Sequence, residues 1–172
     1  VILTIKYNER FNIDRKFHDL ENVNLKNYIS ASKIDKSLYP LKWITNDFEN
    51  PEDELILIRS LINELESINN KNILLISNYN FIDSITKKKI FSVIKNYDDV
   101  TIPPKNSPYY EKFKSYFIYQ INTKKIEKIF IFLPKRNLDL EFKNNIQSLL
   151  FGKCYETENI MNSVKVISFK VC

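Results

Sequence analysis

The sequence predicts an α/β fold, a three-layer sandwich with a mainly parallel central sheet and an edge strand that can run antiparallel. Two observations carry most of this. Asn72-Ile73-Leu74-Leu75-Ile76-Ser77 and Lys128-Ile129-Phe130-Ile131-Phe132-Leu133 are continuous apolar runs of strand length, as expected of strands covered on both faces in a parallel sheet. The segments between such runs repeat apolar residues every three or four positions, the period of a helix with one buried face. The 172 residues, 44% hydrophobic, fit one domain, residues 1–172, and a domain of this size buries about two thirds of its unfolded surface.

Taken in order, Leu41-Lys42-Trp43-Ile44-Thr45, bounded by Pro40 and Asn46, reads as the strand that opens a βαβ unit. Asn50-Pro51 then starts a helix: an N-capping side chain, proline at the first helical position, and Glu52, Asp53 and Glu54 against the positive end of the dipole. Leu55, Ile58, Leu61, Ile62, Leu65 and Ile68 form its buried stripe. After the Leu75 run a second helix starts near Asn80, with Asp83 in its first turn and Lys87, Lys88 and Lys89 further along. Ile90 to Ile94 reads equally as its continuation or as a strand. Tyr97 to Asn106, with Asp98, Asp99, Pro103 and Pro104, is a loop, and Ser107-Pro108 caps a helix striped by Tyr110, Phe113, Phe117 and Ile121. Pro134 ends the second apolar run, and Asn137 begins a helix with Leu138, Phe142, Ile146 and Leu149 on one face. Gly152 closes that helix as its left-handed residue. Val164 to Val171 alternates and reads as the closing edge strand.

Composition excludes several chemistries. Gly152 is the one glycine, so no glycine-rich phosphate-cradling loop can be written. One histidine, His18, and two distant cysteines, Cys154 and Cys172, leave no material for a zinc cluster, a redox pair or an iron-sulfur site. No metal and no cofactor is expected. The net charge of +5 comes from 26 Lys+Arg against 21 Asp+Glu, but arginine occurs only at positions 10, 15, 59 and 136. Nucleic acid is not an expected partner, because bidentate readout favours the guanidinium fork. Heavy use of Lys, Ile and Asn fits a coding bias toward AT-rich codons, which raises the pI without selection for binding. No apolar run approaches the roughly 20 residues that cross a bilayer. The chain opens on Val1-Ile2-Leu3, which suggests excision from a longer protein with an N-terminal membrane portion.

Ligands of open α/β sheets sit outside the carboxyl ends of the parallel strands. Three positions meet that rule: Thr45-Asn46-Asp47, Ser77-Asn78-Tyr79 and Pro134-Lys135-Arg136, with the loop Tyr97 to Tyr110 able to cover them. Asn78, Tyr79, Asp98, Lys135 and Arg136 are the candidate ligand-binding residues, a polar pocket for a hydroxylated or anionic group. The same residues also serve as ordinary loop polarity. No catalytic residue is assigned. His18, in Asp14-Arg15-Lys16-Phe17-His18-Asp19-Leu20-Glu21, lies beside carboxylates as a general base could, yet lacks a partner nucleophile at a telling spacing and reads as a surface residue. Tyr109, Tyr110, Tyr116 and Tyr119 could stack sugars or bases, or simply pack their helix on the sheet. Cys154 and Cys172 are either two free thiols or a bridge that contributes about 3 kcal/mol in an oxidising compartment.

Three stretches carry a resemblance: Arg15-Lys16-Phe17-His18-Asp19-Leu20-Glu21-Asn22-Val23, Ile34-Asp35-Lys36-Ser37-Leu38-Tyr39-Pro40-Leu41-Lys42-Trp43-Ile44-Thr45, and Leu75-Ile76-Ser77-Asn78-Tyr79-Asn80-Phe81. They resemble the soluble C-terminal region of polytopic bacterial membrane glycosyltransferases of the GT-C architecture, similar to the dolichyl-phosphate-mannose and lipid-A aminoarabinose class. The resemblance implies a non-catalytic accessory or substrate-binding domain, membrane-associated and on the periplasmic side, whose partners are its own membrane portion and a carbohydrate or lipid-linked sugar. Catalytic acids of that architecture lie in the membrane portion, so none maps onto this chain. Two further readings stand beside it: a soluble carbohydrate-acting enzyme with its site at the strand ends, and a protein-interaction domain.

Overall fold

The computed structural model describes residues 23–45, 47–69, 71–94, 97 and 101–172. His18, the first of the three resemblance stretches except Val23, and the candidate residue Asp98 lie outside the described residues.

The two apolar runs form adjacent parallel strands, as their uninterrupted hydrophobicity requires. Strand β3 (Ile73–Ser77) pairs with β5 (Lys128–Phe132) from Ile73 opposite Lys128 to Ser77 opposite Phe132. The five-stranded sheet runs β4-β3-β5-β7-β6, with β4 at Ile90–Phe91, β6 at Tyr155–Met161 and β7 at Val164–Phe169. It is mixed: β4 and β5 flank β3 in parallel, whereas β7 runs antiparallel to both β5 and β6. The expected mainly parallel sheet is therefore corrected, because the last two strands form a hairpin around Asn162 and Ser163 instead of a crossover.

Alternating side chains sort the core onto the two faces. Ile73, Leu75, Phe130 and Phe132 meet Ile58, Leu61 and Leu65 of helix α1 (Pro51–Ser67). Leu74, Ile76, Ile129 and Ile131 meet Phe117 and Ile121 of helix α3 (Tyr110–Thr123), together with Ile146, Leu149 and Leu150. Each such side chain contributes about 1.5–3 kcal/mol on burial, so the two central strands anchor both layers of packing.

Helix α1 starts at Pro51 as expected, although the Asn50 side chain makes no capping hydrogen bond. The second helix is one turn, α2 (Ile82–Ile85), and Lys87, Lys88 and Lys89 lie beyond it. Ile90–Phe91 is a strand, which resolves the two readings of that segment. Helix α3 begins at Tyr110, two residues beyond the expected proline start. Helix α4 (Leu138–Glu141) is capped by the Asn137 side chain, which accepts from the Leu140 N–H, and continues as a π turn and a 3-10 turn to Leu150. Gly152 takes φ +82 after Phe151, and Lys153 N–H donates to the Leu150 carbonyl at 3.0 Å. That is a turn whose third position needs positive φ.

Two other expectations are corrected. Lys42–Trp43, strand β2, pairs antiparallel with β1 (Ile29–Ser30) in a separate two-stranded sheet. Its hydrogen-bonding partner is Ile29–Ser30 and not a central strand, so Lys42–Trp43 does not open a βαβ unit with α1 and β3. Val164–Phe169 is internal, and the edge is β6, where Glu156 and Glu158 are exposed. Charges on that edge discourage pairing with another chain.

Candidate functional site

From β3 the chain turns toward β4 on one side, and from β5 toward β7 and β6 on the other. Adjacent parallel strands whose connections diverge leave a crevice beyond their carboxyl ends. A cavity of about 300 Å³ lies there, lined by Asp47, Asn78, Tyr79, Phe132, Leu133, Pro134, Lys135 and Arg136. Four of the five candidate residues, Asn78, Tyr79, Lys135 and Arg136, thus share one cavity. Asp47 joins them, but from the segment after the small sheet and not from a central strand end. Among the described residues, the 97–110 loop supplies no wall of this cavity.

Each side chain has a local reason for its position. The Tyr79 N–H donates to Ser77 Oγ at 3.0 Å, a tight turn straight out of β3. Its ring sits 5.1 Å from that of Phe132 and 6.4 Å from that of Trp43, nearly parallel to the indole. Its hydroxyl donates to Glu54 Oε1, and Trp43 Nε1 donates to Glu54 Oε2 at 2.8 Å. Glu54 is 5% exposed, so this carboxylate is a buried pin joining α1, the small sheet and the end of β3. Burial, reinforced by the Glu54 carboxylate, pushes the Tyr79 phenol well above its ordinary range. Tyr79 therefore lines the cavity with its hydroxyl engaged by Glu54 and its ring packed against Trp43, Phe81 and Phe132.

Lys135 occupies left-handed backbone, φ 68. Arg136 N–H donates to the Leu133 carbonyl at 3.2 Å, closing a turn with proline at its second position and Lys135 at its third, where glycine is the unstrained choice. The Lys135 ammonium lies 4.6 Å from the Phe48 ring centroid. Arg136 is held from behind. Its Nη1 lies 3.3 Å from Glu141 Oε1 and its guanidinium carbon 5.6 Å from the Tyr97 ring centroid. Glu141 Oε2 in turn accepts from Tyr97 Oη at 2.7 Å and from Asn145 Nδ2 at 2.8 Å. Asn78 Oδ1 accepts the Tyr97 N–H at 2.6 Å. Buried Tyr97 thus ties Asn78 and Arg136 to one support, and burial followed by Glu141 raises its phenol pKa.

Sequence reading missed the supports Glu54, Tyr97, Glu141 and Asn145. Glu54 was legible only as an N-terminal helix charge, and Tyr97 only as the start of a loop. Of the four helix tyrosines, Tyr110 is buried while Tyr109, Tyr116 and Tyr119 are exposed. Cys154 and Cys172 are bridged, with Cα atoms 5.3 Å apart. Among the described residues, no group of three or more metal-ligating side chains converges, and no helix is long and apolar enough to cross a membrane.

No protein-family model matches the chain, nor does any curated protein or any solved structure.

Proposed function

We propose that the chain is a sugar-binding accessory domain of a membrane glycosyltransferase-like protein, non-catalytic by itself, with the crevice between β3 and β5 as its binding site. In this reading the fold is a three-layer sandwich and the domain lies on the periplasmic side of the membrane. The observation that carries the proposal is the convergence of Asn78, Tyr79, Lys135 and Arg136 on a single cavity at the divergence of two parallel strands. An aromatic side chain beside an amide, a carboxylate and two cations suits a hydroxylated ring bearing an acidic group. The sugar packs against Tyr79, its hydroxyls bond Asn78 and Asp47, and the carboxylate or phosphate faces Lys135 and Arg136. The Cys154–Cys172 bridge supports an oxidising compartment.

Calorimetry of the chain with glucuronate and glucose 6-phosphate tests the site. Dissociation constants of about 1 mM, equivalent to about 4 kcal/mol, are expected, with Lys135→Ala weakening binding about tenfold. No heat with either sugar at several times that concentration would end the proposal. Reading the gene upstream of Val1 tests the membrane assignment, which requires several apolar spans of roughly 20 residues.

A further inference from the structure

We infer that the ligand does not end at Arg136: the site continues into a second cavity, and its preferred ligand is an acidic disaccharide whose second, neutral sugar lies there. This inference rests on the proposed sugar site and deepens it. A cavity of about 420 Å³ is lined by Arg136, Asn137, Asp139, Asn159, Met161 and Asn162, among others. Arg136 is common to this cavity and to the one at the strand ends, so this residue stands where the two meet, with its guanidinium paired to Glu141.

The two cavities differ in chemistry. The first brings Lys135 and an aromatic ring. The second brings three asparagines: Asn137 Oδ1 caps α4 and Asn159 is hydrogen-bonded to Asp139, which leaves their remaining amide atoms and Asn162 to donate and accept as a neutral sugar hydroxyl requires. Its one acidic group is already neutralised: Asp139 pairs with buried Lys165 at 2.8 Å, which holds its carboxyl below the ordinary range. Among the described residues, no cation other than the shared Arg136 lines it, so a second ionic sugar is not what this cavity selects, whereas Ile160, Met161 and Leu138 supply apolar wall for the face of a ring.

The test compares glucuronate with a disaccharide of glucuronate linked to glucose, on the whole chain, by calorimetry. The disaccharide is expected to bind about tenfold more tightly. Asn162→Ala, on the exposed hairpin between β6 and β7, and separately Asn159→Ala, should remove that gain while leaving glucuronate affinity unchanged. Equal affinities for the two sugars, with glucuronate still bound, would overturn the second cavity and leave the first intact. A gain that survives both substitutions would overturn it as well. If neither sugar binds, the first site and its extension fall together.

Discussion

Glu54 illustrates how one residue can carry a fold connection that its sequence neighbourhood conceals. It stands among three consecutive acidic residues in the first turn of α1, where each favours the helix dipole, yet only Glu54 is buried and receives bonds from Trp43 and Tyr79. Tyr79→Phe removes one of those donors and leaves a buried carboxylate partly unsatisfied. A loss of about 1–3 kcal/mol in urea denaturation is expected, with sugar affinity retained because the ring remains. The phenols of Tyr79 and Tyr97 give a pH signature. Both hold their protons above the ordinary value near 10, so their contribution to stability is intact below about pH 10. It is lost as the pH climbs past that value, since the unfolded chain then releases protons that the folded one keeps. Ultraviolet titration should show these two tyrosines ionising only as the protein unfolds; ionisation with the others, before unfolding, would contradict the buried contacts. At this scale Asn78, Tyr79, Lys135 and Arg136 were legible in the sequence because each directly follows an apolar strand. Glu141 and Asn145 were not, since their role depends on a helix register that no local pattern fixes.

At the scale of elements, the chain meets its left-handed positions almost without glycine. Helix α3 ends with Ile126 N–H donating to the Ile121 carbonyl and Lys125 N–H to that of Asn122, the pattern in which the residue between turns left-handed and is usually glycine. Here it is Lys125, φ 50. Lys125→Gly should raise stability by about 1 kcal/mol, relief of the left-handed penalty exceeding the cost in chain entropy; a loss measured by thermal melting would contradict this. Within β5, Phe130 is fully buried against the α1 face, and Phe130→Ala should cost about 3–5 kcal/mol. β3, β5 and α1 were readable because length, composition and period agreed. β6 was not, since Tyr155 to Met161 has just the polarity of a solvent-facing edge, and the Trp43 segment was misplaced because β-propensity says nothing about which sheet a strand joins.

For the whole molecule, the Cys154–Cys172 bridge ties the segment after β7 to the residue before the edge strand, 18 positions apart. Removing it by Cys172→Ser should lower stability by about 3 kcal/mol, read as a lower denaturation midpoint that reductant reproduces in the unaltered protein. The placement of the cavity follows from topology more than from any single residue: two parallel strands whose connections part leave room for a ligand, and the turns beyond them decide which one. A nitrogen-15 NMR titration with glucuronate tests that claim most directly. The account predicts progressive shifts in the backbone amides of Asn78, Tyr79, Lys135 and Arg136, with little change at Tyr116 and Tyr119 on the outer face of α3. Shifts confined to those helix tyrosines, with the strand-end amides unmoved, would contradict it.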